Sequence, residues 1–307
     1  MSMSQTNIPT KIITCFIMGG LGNQLFQIAT TIAYAIRNKC VFLFPYSEEV
    51  FKNRSTYWHS FLASLRLFTT ENPKFGRTNM DLNYLAKYPE RAFHFTPIPA
   101  FDRSICLQGY FQSYLYFEKE KDAIFKMIRL REQQEKLRLE YADSFDSESI
   151  TVSLHFRLGD YTFLPEYHPI LSPMYYENAF VHLLSKLPKQ DVFSGIIRVL
   201  YCCEAKDHTT VLETIDYLKH RFGCLSFVKV ADEIDDWKQL LMMSLCDHHI
   251  IANSTFSWWS AYFHYISDSL REKREVLVLY PSIWFGLKLQ EKNVLDLFPK
   301  HWVQVDV

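Results

Sequence analysis

Residues 12–38 read IITCFIMGGLGNQLFQIATTIAYAIRN. An apolar run, Ile12 to Met18, is followed by Gly19-Gly20-Leu21-Gly22-Asn23-Gln24 and then by helix-spaced apolar residues from Leu25 to about Asn38. Strand, glycine turn and helix in that order open an α/β unit. Glycines ahead of a helix let backbone approach a ligand, and a helix start favours negative charge. The spacing here matches neither the dinucleotide fingerprint nor the phosphate loop that closes on Gly-Lys-Ser/Thr. Taken alone, the segment reads equally well as a tight strand-to-helix turn.

Outward from that unit, Val41 to Phe44 reads as the next strand, Leu82 to Lys87 as a short helix and Ile105 to Tyr110 as a strand. Glu118 to Tyr141 has the pattern of one long charged helix. The polar stretch Asp143 to Ser149 (DSFDSES) is the expected domain boundary, separating 1–145 from 146–307. Beyond it, strands are expected at Ile150–Phe156, Ile196–Cys202, Leu225–Val230, His249–Ala252 and Glu275–Tyr280. Helices are expected from Ser172-Pro173 to Leu187, Asp207 to Gly223, Asp235 to Leu245 and Ser254 to Ile266. Ser172 and Asp207 are placed as caps and Gly223 as a left-handed terminator. Strands and helices alternating at this spacing predict a parallel, doubly wound sheet, hence an α/β fold of two Rossmann-like halves facing across a cleft.

The chain has 307 residues, 48% hydrophobic and 22% charged, with 9 Gly and 12 Pro. That composition excludes disorder and collagen-like repeats. Lys plus Arg (33) nearly balance Asp plus Glu (34), so no net field points to nucleic acid or a membrane surface. No run approaches the roughly 18 apolar residues of a membrane span, and the N-terminus lacks a signal peptide's charged and apolar regions. Seven cysteines without Cys-x-x-Cys fit free thiols in a reducing compartment, so a soluble cytoplasmic protein is expected. Aromatic residues make up 16% of the chain. Such a surplus could serve a core, a sugar-stacking surface or an interface, and composition does not choose between them.

Ligands of parallel sheets lie beyond the C-terminal strand ends. Those ends carry His155-Phe-Arg157-Leu-Gly-Asp160-Tyr161, Glu204, Asp232 and Asn253-Ser254-Thr255-Phe256-Ser257. One hydroxyl would suffice to cap the last helix, whereas a bound phosphate would use several hydroxyls and amides together. Arg157 would supply the planar cationic fork such a phosphate prefers, or merely a salt bridge to Asp160. Alternation places His155 and Arg157 on one face. No metal is expected: Asp-x-Asp is absent, and the adjacent His248-His249 and Cys202-Cys203 pairs point to opposite faces.

In combination, Gly20-Leu-Gly-Asn-Gln-Leu-Phe-Gln27, Gly109-Tyr-Phe-Gln112, His155-Phe-Arg-Leu-Gly-Asp-Tyr161, Ile250-Ile-Ala-Asn-Ser-Thr-Phe-Ser-Trp-Trp259 and Pro281-Ser-Ile-Trp-Phe285 resemble the α-1,2-fucosyltransferase family in content and order. The resemblance implies a GT-B-like fold and metal-independent, inverting transfer of L-fucose from GDP-fucose to the 2-hydroxyl of a galactose-containing glycan. It also implies that the C-terminal domain binds the nucleotide and the N-terminal one serves the acceptor, whose choice is expected to lie in 46–104. With the acceptor in that half, the aromatics divide between core and sugar-facing surface, the latter expected mostly before residue 115, at Tyr57, Trp58, Phe61, Phe93, Phe95, Phe101, Tyr110 and Phe111. By that likeness Arg157 meets the pyrophosphate and His155 lies near the guanosine. Asn253, Ser254, Thr255, Phe256 and Ser257 form the phosphate-binding helix start, and Gly20, Gly22 and Asn23 face the donor from the other domain. Strand-end position adds Glu204 and Asp232 as partners for guanine, with Asp232 preferred. Asp160, then Glu166, are the expected bases. The family's second arginine is Leu158 here, turned away from His155 and Arg157. The membrane anchor of animal members is not seen, which resembles the soluble bacterial forms. Two rivals stand beside this reading: an enzyme of the same fold using another nucleotide sugar, and a non-catalytic carbohydrate-binding protein.

Overall fold

The computed structural model describes residues 11–50, 54–73, 82–145, 149–188, 197–264 and 275–307. They fall into two units: the chain up to Ile128 with Leu295–Leu297, and Arg129 to Val294 with Phe298–Val307.

In the first unit, strand β1 (Ile12–Cys15) is buried at every residue, as a parallel strand covered on both faces must be. It pairs in parallel with β2 (Val41–Phe42) and β6 (Ile105–Gln108), and β6 pairs with β5 (Ala86–Pro89), giving the order β2-β1-β6-β5. A separate antiparallel pair joins β3 (Glu49–Val50) to β4 (Arg54–Ser55). Helix α1 (Leu21–Asn38) follows the glycine turn and is buried almost throughout its first fifteen residues. The two glutamines of the motif hold that turn. Gln27 Nε2 donates to the Met18 carbonyl (3.1 Å) and its Oε1 accepts from Met18 N (2.9 Å); Gln24 Nε2 donates to the carbonyls of Gly19 and Ser55. Gly19 has φ +81°, and a Cβ there would lie 2.6 Å from Asn23 Nδ2, so this position requires glycine.

Several expectations change in this unit. Tyr57, Trp58, Phe61 and Phe111 are buried, with Trp58 stacked on Phe44 at 5.6 Å. They are core residues, and the sugar-facing share expected of them is not there. Only a single short turn, Leu82–Tyr84, stands where a helix was expected, and it leads into β5. That strand lies at the sheet edge, which is where its terminal Pro89 is tolerated.

The expected helix 118–141 is broken in two. Helix α2 (Lys121–Met127) belongs to the first unit and α3 (Leu130–Glu140) to the second. Arg129 between them adopts left-handed φ 52°, a conformation that no local sequence signal announces. The units therefore divide before Arg129 rather than at 145/146. The reason is visible in α3, where Gln134 is buried and donates to Ser244 Oγ (2.8 Å) and the Phe263 carbonyl (2.7 Å). Leu295–Leu297 rejoins the first unit because Ser113 Oγ donates to the Asp296 carbonyl and Phe95 N to its carboxylate.

The second unit is a six-stranded parallel sheet of order β12-β11-β10-β7-β8-β9. Its strands are β7 (Thr151–His155), β8 (Ile197–Cys202), β9 (Leu225–Lys229), β10 (His248–Ile250), β11 (Val278–Pro281) and β12 (Val303–Val305); the last was not expected. Ile196 and Ile266, the expected start of β8 and end of the last helix, lie outside the described residues. Alternation sends Val152, Leu154 and Phe156 into a core with α4 (Pro173–Lys186) and α5 (His208–Arg221). Leu200 and Cys202 pack on the opposite face with Met242 and Met243 of α6 (Asp236–Ser244) and with Phe256 of α7 (Thr255–Tyr262). Gly223 is not in the left-handed region, so α5 ends without the expected terminator. Both units thus have the parallel α/β architecture expected of the Rossmann-like components of a GT-B-like chain. Among the described residues no helix is long and apolar enough to cross a membrane.

Candidate functional site

Of the expected site residues, Gly20, Gly22 and Asn23 lie in the first unit and the others in the second. Gly20 caps α1 in an extended conformation, and a Cβ built on it would meet only open space. Gly22 is buried in the first turn. The Asn23 carboxamide oxygen accepts from Gln112 Nε2 at 2.8 Å. The glycine motif and the Gly109-Tyr-Phe-Gln112 motif, separate in sequence, are therefore joined side chain to side chain.

In the second unit the site grows from the end of β7. His155 is its last residue, buried, with its ring 5.3 Å from that of Phe256 and its Nδ1 without a hydrogen-bond partner. Burial, and then the Arg157 charge, push its pKa down to about 3, so the ring is neutral at physiological pH. Phe156 continues the ladder, donating to the Cys202 carbonyl at 2.9 Å. Beyond it the Arg157 guanidinium pairs with both Glu204 and Asp160 and lies 4.8 Å from the Tyr161 ring centroid. Desolvation, which lowers the arginine pKa, is outweighed by the pull of Tyr161, Asp160 and Glu204, so it is held above its ordinary value. Leu158 turns to the α4–α5 core, as expected.

Gly159 makes this packing possible. Its φ is +47°, and a Cβ would fall 2.3 Å from Glu204 Oε1 and 3.2 Å from an Arg157 nitrogen. Its amide donates to Asp207 Oδ2 at 2.7 Å, a second use for a carboxylate expected only to cap α5; no side-chain cap bond forms there. Gly159→Ala is expected to split Arg157 from Glu204 and to lower turnover about tenfold or more, since even ~1.4 kcal/mol of misplacement is a factor of ten. Its melting temperature should fall only a few degrees, because a strained turn costs roughly 1–2 kcal/mol. Steady-state kinetics and thermal melts check both halves.

Tyr161 ties the arginine to the next strand end. Its hydroxyl donates to the Asn253 carbonyl at 3.1 Å, and its ring stacks on His168 at 4.5 Å. Asn253 spends its amide on the carbonyls of Pro169 (2.9 Å) and Trp284 (3.4 Å), so it braces the surrounding loops. Ser254 is the N-cap of α7, its hydroxyl accepting from Phe256 N at 3.3 Å. Thr255 is the first helical residue. Ser257 donates back to the carbonyls of Ala252 and Ser254, the local bonding of a buried helix serine.

Glu204 and Asp232 stand at the ends of β8 and β9 as expected, but each already has a cation. Glu204 pairs with Lys206 (3.0 Å) as well as Arg157, and Asp232 pairs with Lys229. Glu204 thus contacts Arg157, a neighbour that its strand-end position did not reveal. Glu166 pairs with Lys288 at 2.6 Å. Among the described residues no group of three His, Cys, Asp or Glu is placed to hold a metal ion. Tyr161 and Gln112 stand within the motifs, but nothing local in the sequence marks these contacts; Asp207 carries no signal beyond its capping position.

Polar groups gathered beyond the strand ends of a parallel sheet, with an arginine fork and a capped helix start among them, define a site suited to a phosphate-bearing ligand. The comparisons give the class. The model of Glycosyl transferase family 11 matches residues 205–271, a segment that contains Asp232 and Asn253–Ser257. The chain is 26% identical over 320 residues to the O-antigen biosynthesis glycosyltransferase WbnK of Escherichia coli, covering 91% of this chain and 97% of that protein. It is 25% identical to the alpha-1,2-colitosyltransferase of Escherichia coli, covering 96% and 99%. Among solved structures, the fucosyltransferase NodZ from Bradyrhizobium overlaps 82% of this chain and 92% of its own, at 12% identity and a TM-score of 0.42. The resemblance read from the motifs is borne out, and the chain is a glycosyltransferase.

Proposed function

We propose that the chain transfers L-fucose from GDP-fucose to the 2-hydroxyl of a galactose residue in a glycan, inverting the anomeric centre without a metal ion. One observation carries the donor half of the reading: Tyr161 links the Arg157 fork to the start of α7, through the guanidinium on its ring and its hydroxyl on the Asn253 carbonyl. A diphosphate received there would take the guanidinium from Glu204 and Asp160 and accept from the amides and hydroxyls of Ser254, Thr255 and Ser257. As the glycosidic bond breaks, charge grows on the β-phosphate, and these donors stabilise it in the role a metal plays elsewhere. The His155 ring, neutral at physiological pH, is taken to lie beside the guanosine. Asp232 would receive the guanine N1–H and amino group, and Glu204 holds Arg157 in place until the donor arrives. Asp160 is taken as base over Glu166, because exchange of Arg157 onto phosphate releases its carboxylate beside the reaction. The first unit serves the acceptor side, while its Gly20, Gly22 and Asn23 are taken as donor-binding residues. The reaction is assigned to the cytoplasm.

The relative named a colitosyltransferase favours one second reading, in which the sugar is colitose, a fucose without its 3-hydroxyl. Calorimetry with GDP, UDP and GDP-fucose tests the donor assignment. GDP and GDP-fucose should bind at least tenfold more tightly than UDP. A preference for UDP would overturn the nucleotide assignment, and no nucleotide binding would leave a carbohydrate-binding protein. Turnover of GDP-fucose against GDP-colitose then decides the sugar.

A further inference from the structure

Two exposed aromatic rings stand at adjacent strand ends of the first unit. Phe16, 50% exposed, follows β1, and Tyr110, 38% exposed, follows β6. The strands are neighbours, pairing Cys15 with Leu107, and Phe16 N extends the ladder to the Leu107 carbonyl at 2.9 Å. In parallel sheets this edge is where ligands lie.

The Tyr110 end is built with unusual care. Glu90, next after β5, accepts from Tyr110 N with one carboxylate oxygen and from Phe111 N with the other, both at 2.8 Å. Its own amide donates to the Gln108 carbonyl at 2.7 Å. Gly109 presses on it so closely that a Cβ would lie 2.3 Å from Glu90 Cβ. Phe111 is buried at φ 52°, a backbone conformation that bulky residues avoid and that tends to mark functional loops. The next residue, Gln112, holds Asn23. A carboxylate, a close glycine and a left-handed phenylalanine thus fix one loop, and the side chain it leaves exposed is Tyr110.

The chemistry of the edge selects its ligand. Phe16, Tyr110 and their neighbours in 109–113 carry no charge, and the nearby Glu90 carboxylate is engaged by two backbone amides, so the surface around the two rings suits a neutral molecule with an apolar face. The C–H face of a pyranose has that character and packs on aromatic rings. We propose that Phe16 and Tyr110 form the stacking platform for the acceptor's sugar ring, and that Glu90 is the positioning residue holding Tyr110 in place. This rests on the reading of the first unit as the acceptor side.

The test measures acceptor KM, kcat and GDP affinity in the same variants. Phe16→Ala and Tyr110→Ala, both at exposed positions, should each raise acceptor KM about tenfold, a stacking contact's worth, while GDP affinity stays within twofold. Tyr110→Phe should keep the wild-type KM. Glu90→Gln should raise acceptor KM by itself but add nothing on top of Tyr110→Ala, a non-additivity that general destabilisation would not produce. Unchanged acceptor KM in both alanine variants, or full additivity of Glu90→Gln with Tyr110→Ala, would overturn the proposal. Should Glu90→Gln not fold, the two ring variants decide it. Loss of GDP binding or of transfer in the wild type would instead defeat the underlying functional reading, so the two failures are distinguishable.

Discussion

Arg157→Ala is expected to transfer sugar roughly a hundred- to thousandfold more slowly than the wild type, the usual consequence of removing one preorganised donor from a developing oxyanion. The structure sharpens that expectation in two ways. Glu204 and Asp160 both sit on the guanidinium, so its removal leaves two carboxylates where the diphosphate should arrive. GDP affinity should therefore fall along with turnover. Arg157→Lys keeps the charge but loses the fork, and should recover only part of the rate. Adding Glu204→Gln to Arg157→Ala removes one of the stranded charges and should restore some GDP binding. Steady-state kinetics at saturating acceptor, together with GDP calorimetry, measure all three. Near-normal kcat/KM in Arg157→Ala would sink the assignment.

The second large effect is on stability in acid. His155, His249 and His264 are held below their ordinary pKa by burial, His155 to about 3 and His264 to about 4. Ser153 Oγ bonds His249 Nδ1 at 2.8 Å, and His249 Nε2 bonds His264 Nδ1 at 2.9 Å; the hydroxyl and the second ring can both accept, so the penalty on a charged ring is its burial away from water. The unfolded chain protonates these rings near pH 6.5, whereas the folded chain resists until about 4. Their stabilisation is complete above pH 6.5 and drains away as pH falls toward 4. Each unit of depression is worth about 1.4 kcal/mol, a sizeable share of a margin of about 5–15 kcal/mol. Melting temperatures should be level from pH 8 to 6.5 and fall steeply between 6.5 and 5, above the range where carboxylates dominate. His264→Gln should flatten that decline, and a melting curve indifferent to pH over this window would contradict the burial argument.

Local pattern was enough for the α/β alternation, a hydroxyl cap at Ser254 or Thr255, Pro173 at its helix start and the polar strand ends. It failed where distant residues decide. Nothing between 118 and 141 marks Arg129 as the left-handed residue at which the chain passes to the second unit. The edge strand Ala86–Pro89 exists because β6 is beside it, a pairing that its own four residues cannot declare. Trp58 stands in the largely polar stretch Arg54 to Ser60 yet fills the first unit's core, while Phe16, from an apolar run, is left exposed. At the site, Arg157 and Ser254 were legible as residue types at strand ends. The grip of Glu204 on Arg157 needs Gly159 at a positive φ, and Glu90 reaches Tyr110 and Phe111 across a strand pair. Such contacts are properties of the fold.

The most direct test supplies GDP-fucose and a β-galactoside to the protein in excess chelator and determines the product's linkage by NMR. The account predicts an α-fucosyl group on the galactose 2-hydroxyl, formed at undiminished rate without metal and lost in Arg157→Ala. A β-linked product, attachment at another hydroxyl, or transfer that needs added metal or a UDP-sugar would contradict it.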